Sequence, residues 1–143
     1  MIAVRFVDTN ILLYAVGAPS EDADKRRVAS ELLESEDLAL SVQVLQEFYH
    51  QATRPTRPKA ATQEQALKFI DSIRHFPVQD VTLDIFRAGV ALSRRYQLSY
   101  WDGAILAAAE ALGCDILYTE DLTHGQDYGG VVVVNPFLDG RNP

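Results

Sequence analysis

The chain has 143 residues, 48% hydrophobic and 23% charged, a balance that fits one folded domain and excludes a disordered or multidomain chain. Thirteen basic residues against twenty acidic ones leave a net charge of −7, which excludes diffuse electrostatic binding of nucleic acid and confines any such role to a local site. The longest apolar stretches, Ala104–Ala109 and Val131–Val134, are too short to span a bilayer. No secretory leader is expected at Met1, and the single Cys114 points to a reducing, cytoplasmic setting.

In chain order, Ala3–Val7 reads as a short buried strand, and Asp8-Thr9-Asn10 follows it with helix-start chemistry ahead of Ile11-Leu12-Leu13-Tyr14. Gly17-Ala18-Pro19-Ser20 reads as a loop. Val28, Leu32 and Leu33 recur at helical spacing among charged residues, predicting an amphipathic helix from about Glu21 to Glu36. Leu38-Ala39-Leu40 is a second predicted strand. From Val42 the apolar positions Val42, Leu45, Phe48, Tyr49 and Ala52 share one helical face, leaving Gln43, Glu47, His50 and Gln51 on the other.

Proline breaks that helix at Arg54-Pro55-Thr56-Arg57-Pro58. Thr62 and Gln65 form a capping pattern before a helix bearing Leu67, Phe69, Ile70 and Ile73, and Pro77-Val78 leads through a brief extended piece into a helix from Leu83 to Tyr96. Ser99-Tyr100-Trp101-Asp102 opens another helix, whose alanines form a small-residue face and which ends at Gly113. Asp115–Tyr118 is a predicted strand, and the chain closes with a loop through Gly129-Gly130 and the β-branched run Val131–Val134. Strands alternating with helices predict a single α/β domain over residues 1–143, with a central, mainly parallel sheet flanked by helices and neither internal repeat nor linker.

Ligands of such sheets bind beyond the carboxyl ends of the strands. Asp8 and Asp121 fall at predicted strand ends, Asp102 in the first turn of a helix, and Glu47 on the polar face of a helix that follows a strand. Gathered in one place, these four carboxylates could not all stay ionised without compensation, which a hard cation such as Mg²⁺ or Mn²⁺ would supply. Each acid also has a local use. Asp8 could be an N-cap, Ser99 and Asp102 a capping box, Asp121 the end of a turn and Glu47 solvated surface, and the spacing leaves both uses open.

Four segments, taken together and in order, resemble the PIN-domain nucleases: Phe6-Val7-Asp8-Thr9-Asn10-Ile11-Leu12, Gln46-Glu47-Phe48, Tyr100-Trp101-Asp102-Gly103-Ala104-Ile105-Leu106-Ala107-Ala108-Ala109, and Leu117-Tyr118-Thr119-Glu120-Asp121-Leu122. More narrowly they are similar to the VapC-type toxins of toxin–antitoxin pairs, and the likeness extends to the closing Val134-Asn135-Pro136-Phe137. The resemblance implies a PIN-like three-layer sandwich and a Mg²⁺- or Mn²⁺-dependent endoribonuclease. It makes Asp8, Glu47, Asp102 and Asp121 the catalytic and metal-binding acids. Asn10 and Thr119 would orient those ligands or their water, with local capping as the alternative. It further implies an RNA substrate, a cognate antitoxin protein and a homodimer. Gly103 departs from the pattern, because relatives often carry a larger residue there; the expectation is a looser first helical turn around Asp102.

Arg54, Arg57 and Lys59 on the proline-broken loop are the expected RNA phosphate contacts, and Lys25-Arg26-Arg27 forms a second patch; solvated surface is the alternative for both. His50, His75 and His124 lack the spacing of a zinc site, and Cys114 reads as a small buried hydrophobe. Tyr100 and Trp101 could stack on a base but read rather as core or interface. Three other functions fit the residues less well than the nuclease does. A catalytically silent PIN-like module binding RNA or protein would have no reason to keep four mutually repelling acids. An aspartyl-phosphate phosphatase would need an acid where Asn10 stands, and a phospho-acceptor receiver would need a lysine beyond Lys68.

Overall fold

In the computed structural model, which describes residues 5–17 and 22–138, short strands and helices alternate as the apolar spacing predicts. Strand β1 (Arg5–Val7) runs through Asp8 into helix α1 (Thr9–Val16). Helix α2 (Ala23–Leu32) leads to β2 (Leu38–Ser41) and directly into α3 (Val42–Ala52). Helix α4 (Gln63–Ile73), β3 (Val78–Gln79), α5 (Leu83–Tyr96), α6 (Tyr100–Ala111), β4 (Ile116–Tyr118), β5 (Asp127–Tyr128) and β6 (Val131–Val134) complete the order. The predicted Ala3–Val4 start of the first strand and residues 18–20 of the predicted loop lie outside the described residues.

The six strands form one sheet in the order β3-β2-β1-β4-β6-β5. Every pairing is parallel except β5 with β6. Phe6, Val7, Leu38, Ala39, Leu40, Leu117 and Val133 are fully buried, the near-continuous apolar runs of parallel strands covered by helices on both faces. The architecture is therefore the expected three-layer, PIN-like α/β sandwich. The predicted loop around Gly129-Gly130 is a tight hairpin instead. Tyr128 pairs with Val131, and both intervening glycines have positive φ, +69° and +105°, a backbone that only residues without a Cβ adopt freely.

Each helix among the described residues begins on a side-chain cap: Asp8, Asp22, Ser41, Thr62, Thr82 and Ser99. Thr62 and Gln65 make the predicted reciprocal box. Helix α2 stops four residues short of the predicted Glu36. Glu34 and Ser35 donate to carbonyls three residues back, a tight final turn, and the acids Glu34, Glu36 and Asp37 are unfavourable at the negative end of a helix.

Helices α5 and α6 cross closely where two glycines meet. A Cβ on Gly103 would stand 2.4 Å from the carbonyl oxygen of Gly89 and 2.9 Å from the Ser93 Cβ. Gly103 thus belongs to the packing rather than to a loose first turn: Ser99 caps α6 by accepting from the Asp102 amide at 3.1 Å, and the turn is regular. Cys114 is buried, as expected. No helix among the described residues is long and apolar enough to cross a membrane.

Candidate functional site

Parallel pairing puts the ends of β1 and β4 side by side, with Val7 opposite Tyr118. Asp8 and Thr119, the next residue of each strand, therefore emerge together, and the Asp8 amide donates to the Tyr118 carbonyl at 3.0 Å. Glu47 reaches the same region from α3, which starts at the carboxyl end of β2, and Asp102 from the first turn of α6. Asp121 follows β4 by three residues. All four acids line one cavity of about 410 Å³, a size ordinary for a ligand site. The sheet has thus gathered acids from four separate segments of sequence.

Hydrogen bonds hold these carboxylates in fixed directions. Asp8 Oδ1 accepts from the Thr9 amide at 2.7 Å and Oδ2 from the Thr119 hydroxyl at 2.8 Å. Asp8 is therefore both the cap of α1 and a wall of the cavity, so its two sequence readings coexist. The Thr9 hydroxyl donates to Glu47 Oε1 at 2.7 Å, and the Gln43 amide approaches Glu47 Oε2 at 3.4 Å while bonding the Trp101 carbonyl at 3.1 Å. Asn10 donates from Nδ2 to the Thr119 hydroxyl and to Asp121 Oδ2, both at 3.1 Å. Its own Oδ1 is buried without a hydrogen-bond partner among the described residues.

The electrostatics are those of crowded, partly dry acids. Burial pushes Asp8 up to about 7 from the ordinary 3.8, opposed by its bonds from Thr119 and Thr9 and reinforced by the negative charges of Asp121 and Glu47. Asp102 is also raised, first by burial and then by Asp121 and Glu47, against the bond with Ser99. The donor set is all hard carboxylate oxygen, which fits Mg²⁺ or Mn²⁺ by chemistry. As placed, however, no three His, Cys, Asp or Glu side chains among the described residues lie close enough to hold one ion. The acids line one cavity, and three of them, Asp8, Glu47 and Asp121, accept hydrogen bonds from neighbouring side chains.

The basic residues divide. Arg57 and Arg26 line the same cavity as the acids. Arg54 is exposed and is not part of its lining, and Lys59 lines a smaller adjacent cleft with Arg57. Of the second patch, Lys25 pairs with Glu120 at 2.9 Å and Arg27 with Glu31 at 3.3 Å. Of the two expectations for Trp101, core or interface, the structure excludes core. Trp101 is 62% exposed at the cavity rim, because the apolar face of α6 begins only at Gly103.

Sequence reasoning overlooked several side chains here. Thr9 ties Asp8 to Glu47, and Gln43 precedes Glu47 by one helical turn, a spacing that could have flagged it. Tyr14 and Glu120 also line the cavity; the Tyr14 hydroxyl donates to Glu120 at 2.6 Å, and Lys25 reaches both. Tyr14 stands one turn after Asn10 on α1, but nothing local links either to Lys25.

The PIN domain family model matches residues 5–125. No curated protein sequence matches the chain. Among solved structures, one described as a toxin–antitoxin complex from Klebsiella pneumoniae is similar at 26% identity and a TM-score of 0.67, over 92% of this chain and 97% of that one. Mycobacterium tuberculosis VapC20, described as a sarcin-ricin loop cleaving toxin, shares the fold at 22% identity and a TM-score of 0.63, over 82% and 89% of the two chains. Rickettsia felis VapBC2, solved with a promoter DNA fragment, does so at 17% identity and a TM-score of 0.63, over 92% and 98%. By family model and by fold, this chain belongs to the PIN domain family.

Proposed function

We propose that the chain, read as one PIN domain over residues 1–143, is a divalent-metal-dependent endoribonuclease and the VapC-type toxin of a toxin–antitoxin pair. The observation that carries this reading is the cavity itself, where Asp8, Glu47, Asp102 and Asp121 meet with Arg26 and Arg57 in the same lining. Acids at one part of a site and guanidinium groups at another suit a phosphodiester, whose reacting oxygens need activation and whose charge needs a partner. Asp8, Glu47, Asp102 and Asp121 would hold Mg²⁺ or Mn²⁺ after drawing closer together than they stand here, and the bound ion would polarise a phosphoryl oxygen and acidify water.

The protein's own groups supply orientation. Thr9 and Thr119 fix the directions of Asp8 and Glu47, and Asn10 links Asp121 to Thr119. Arg57 and Arg26 are the groups we assign to substrate phosphates, with Arg54 and Lys59 contributing along the strand outside the cavity. The similar toxin–antitoxin structures support a cognate antitoxin protein as partner, and we extend the same reading to a homodimer.

The test is cleavage of a mixed single-stranded and structured RNA pool by purified protein with Mg²⁺ or Mn²⁺, with chelator, and by Asp8→Asn and Asp102→Asn. Metal-dependent cleavage lost in both variants is the expected result. Equal behaviour of wild type and variants, with no heat of metal binding by calorimetry, would replace the nuclease by a silent RNA- or protein-binding module.

A further inference from the structure

The acidic cavity is not isolated on the surface. Trp101 and Gln43 line it and also line a neighbouring cleft of about 70 Å³, walled by α3, α5, α6 and the end of β3. Apolar Ile85 and Ala104, the amides of Gln46 and Gln79, and one acid, Asp80, line that cleft. No basic side chain among the described residues lines it. Trp101 is 62% exposed, yet its ring is backed by protein: Tyr100 meets it edge-on, centroids 5.1 Å apart at 72°, and Phe86 lies 5.6 Å beyond Tyr100. Its carbonyl is tied through Gln43 to α3, the helix that bears Glu47.

We propose that Trp101 is a nucleobase-stacking platform, receiving a base of the RNA strand whose phosphodiester enters the acidic cavity. This rests on the nuclease reading above. A large flat ring left in water, in contact with Tyr100 and bordered by amides and one carboxylate, has the chemistry that unstacked bases use: a surface to stack on, and amides and an acceptor carboxylate to meet the donors and acceptors of base edges. Charge favours the same occupant. With a net charge of −7, the protein gains little long-range attraction for a polyanion, and stacking supplies affinity that no phosphate contact has to provide. The shared rim sets the distance, so the stacked base belongs to a nucleotide close to the scissile bond.

The chain has one tryptophan, so intrinsic fluorescence reports on this ring alone. Chelated wild type and Asp8→Asn, both of which keep the strand intact, are titrated with single-stranded oligoadenylate and with an abasic ribose-phosphate strand of equal length. Binding is followed in parallel by anisotropy of end-labelled strands. Saturable quenching by oligoadenylate and none by the abasic strand is expected. In cleavage assays Trp101→Leu should raise KM about 10- to 100-fold with kcat within about threefold, and Trp101→Phe should restore most of the loss.

Binding without quenching, or an unchanged KM in Trp101→Leu, overturns the platform and leaves the nuclease standing. Quenching by RNA in a wild-type protein that cleaves nothing overturns the nuclease and leaves the platform. A fluorescence change that follows protein concentration without RNA, with a dimer lost in Trp101→Leu by sedimentation, assigns the ring to contact between copies and overturns the proposal.

Discussion

The Thr119 hydroxyl donates to Asp8 Oδ2 at 2.8 Å, joining the ends of β1 and β4 across 111 positions of sequence. Thr119 Oγ1 in turn accepts from Asn10 Nδ2 and from the Asp121 amide, both at 3.1 Å. One buried hydroxyl thereby sets the positions of two of the four acids. Thr119→Val keeps the shape and removes the donor, stranding a buried carboxylate oxygen at a cost of about 1–3 kcal/mol. Urea unfolding should show a larger loss at pH 8 than at pH 5.5, because the ionised form is the one that needs the bond. Thr119→Ser should retain most of the stability at both.

Asp8 makes the metal-free protein sensitive to alkali. Its folded pKa, about 7, lies above the ordinary 3.8, so the fold binds this proton more tightly than the unfolded chain does. The associated stability is fully present below about pH 4 and is lost as pH rises to about 7, by up to about 4 kcal/mol. Asp102, also raised, adds in the same direction. Asp37, lowered first by its bond from Arg5, acts oppositely, and its contribution is lost in acid. Thermal melts in chelator should therefore fall between pH 5 and pH 8, with a flatter profile in Asp8→Asn. Added Mg²⁺ should raise the melting temperature most at pH 8, where the acids are ionised.

Gly103→Ala tests the helix crossing. The new methyl would stand 2.4 Å from the Gly89 carbonyl oxygen, which is backbone and cannot swing away. Helices α5 and α6 must separate, at a cost of about 1–3 kcal/mol. Because Asp102 is the neighbouring residue, cleavage should fall by more than the lost folded population accounts for. Comparing kcat with the folded fraction by circular dichroism separates the two effects.

Arg57 and Arg54 lie three residues apart and should behave differently. Arg57 lines the cavity whereas Arg54 is exposed outside it. Arg57→Ala should raise KM for RNA about tenfold and lower the salt dependence of binding by close to one phosphate contact. Arg54→Ala should change KM by less than about threefold. Equal effects would place the strand along the loop instead of within the cavity.

Much of this protein was legible in its residue order because the deciding interactions are local. Thr62 with Gln65, Ser99 with Asp102 and Pro55 after α3 act over a few positions, so element starts and stops could be read directly. The apolar runs of β1, β2, β4 and β6 likewise announced a covered parallel sheet. The motifs around Asp8, Glu47, Asp102 and Asp121 pointed to a family that the fold then matched.

What required the tertiary structure was every property set by contact between distant segments. The strand order brings Thr119 against Asp8, and that acid is raised chiefly by burial and further by the charges of Asp121 and Glu47, all of which depend on what the fold places around it rather than on neighbours in sequence. The loop arginines look equivalent as text, yet the cavity admits Arg57 and leaves out Arg54. Gly103 looked like a weak first turn and is a close helix contact. Trp101 reads as core or interface and is exposed rather than core, because a helix's buried stripe is chosen by what packs against it.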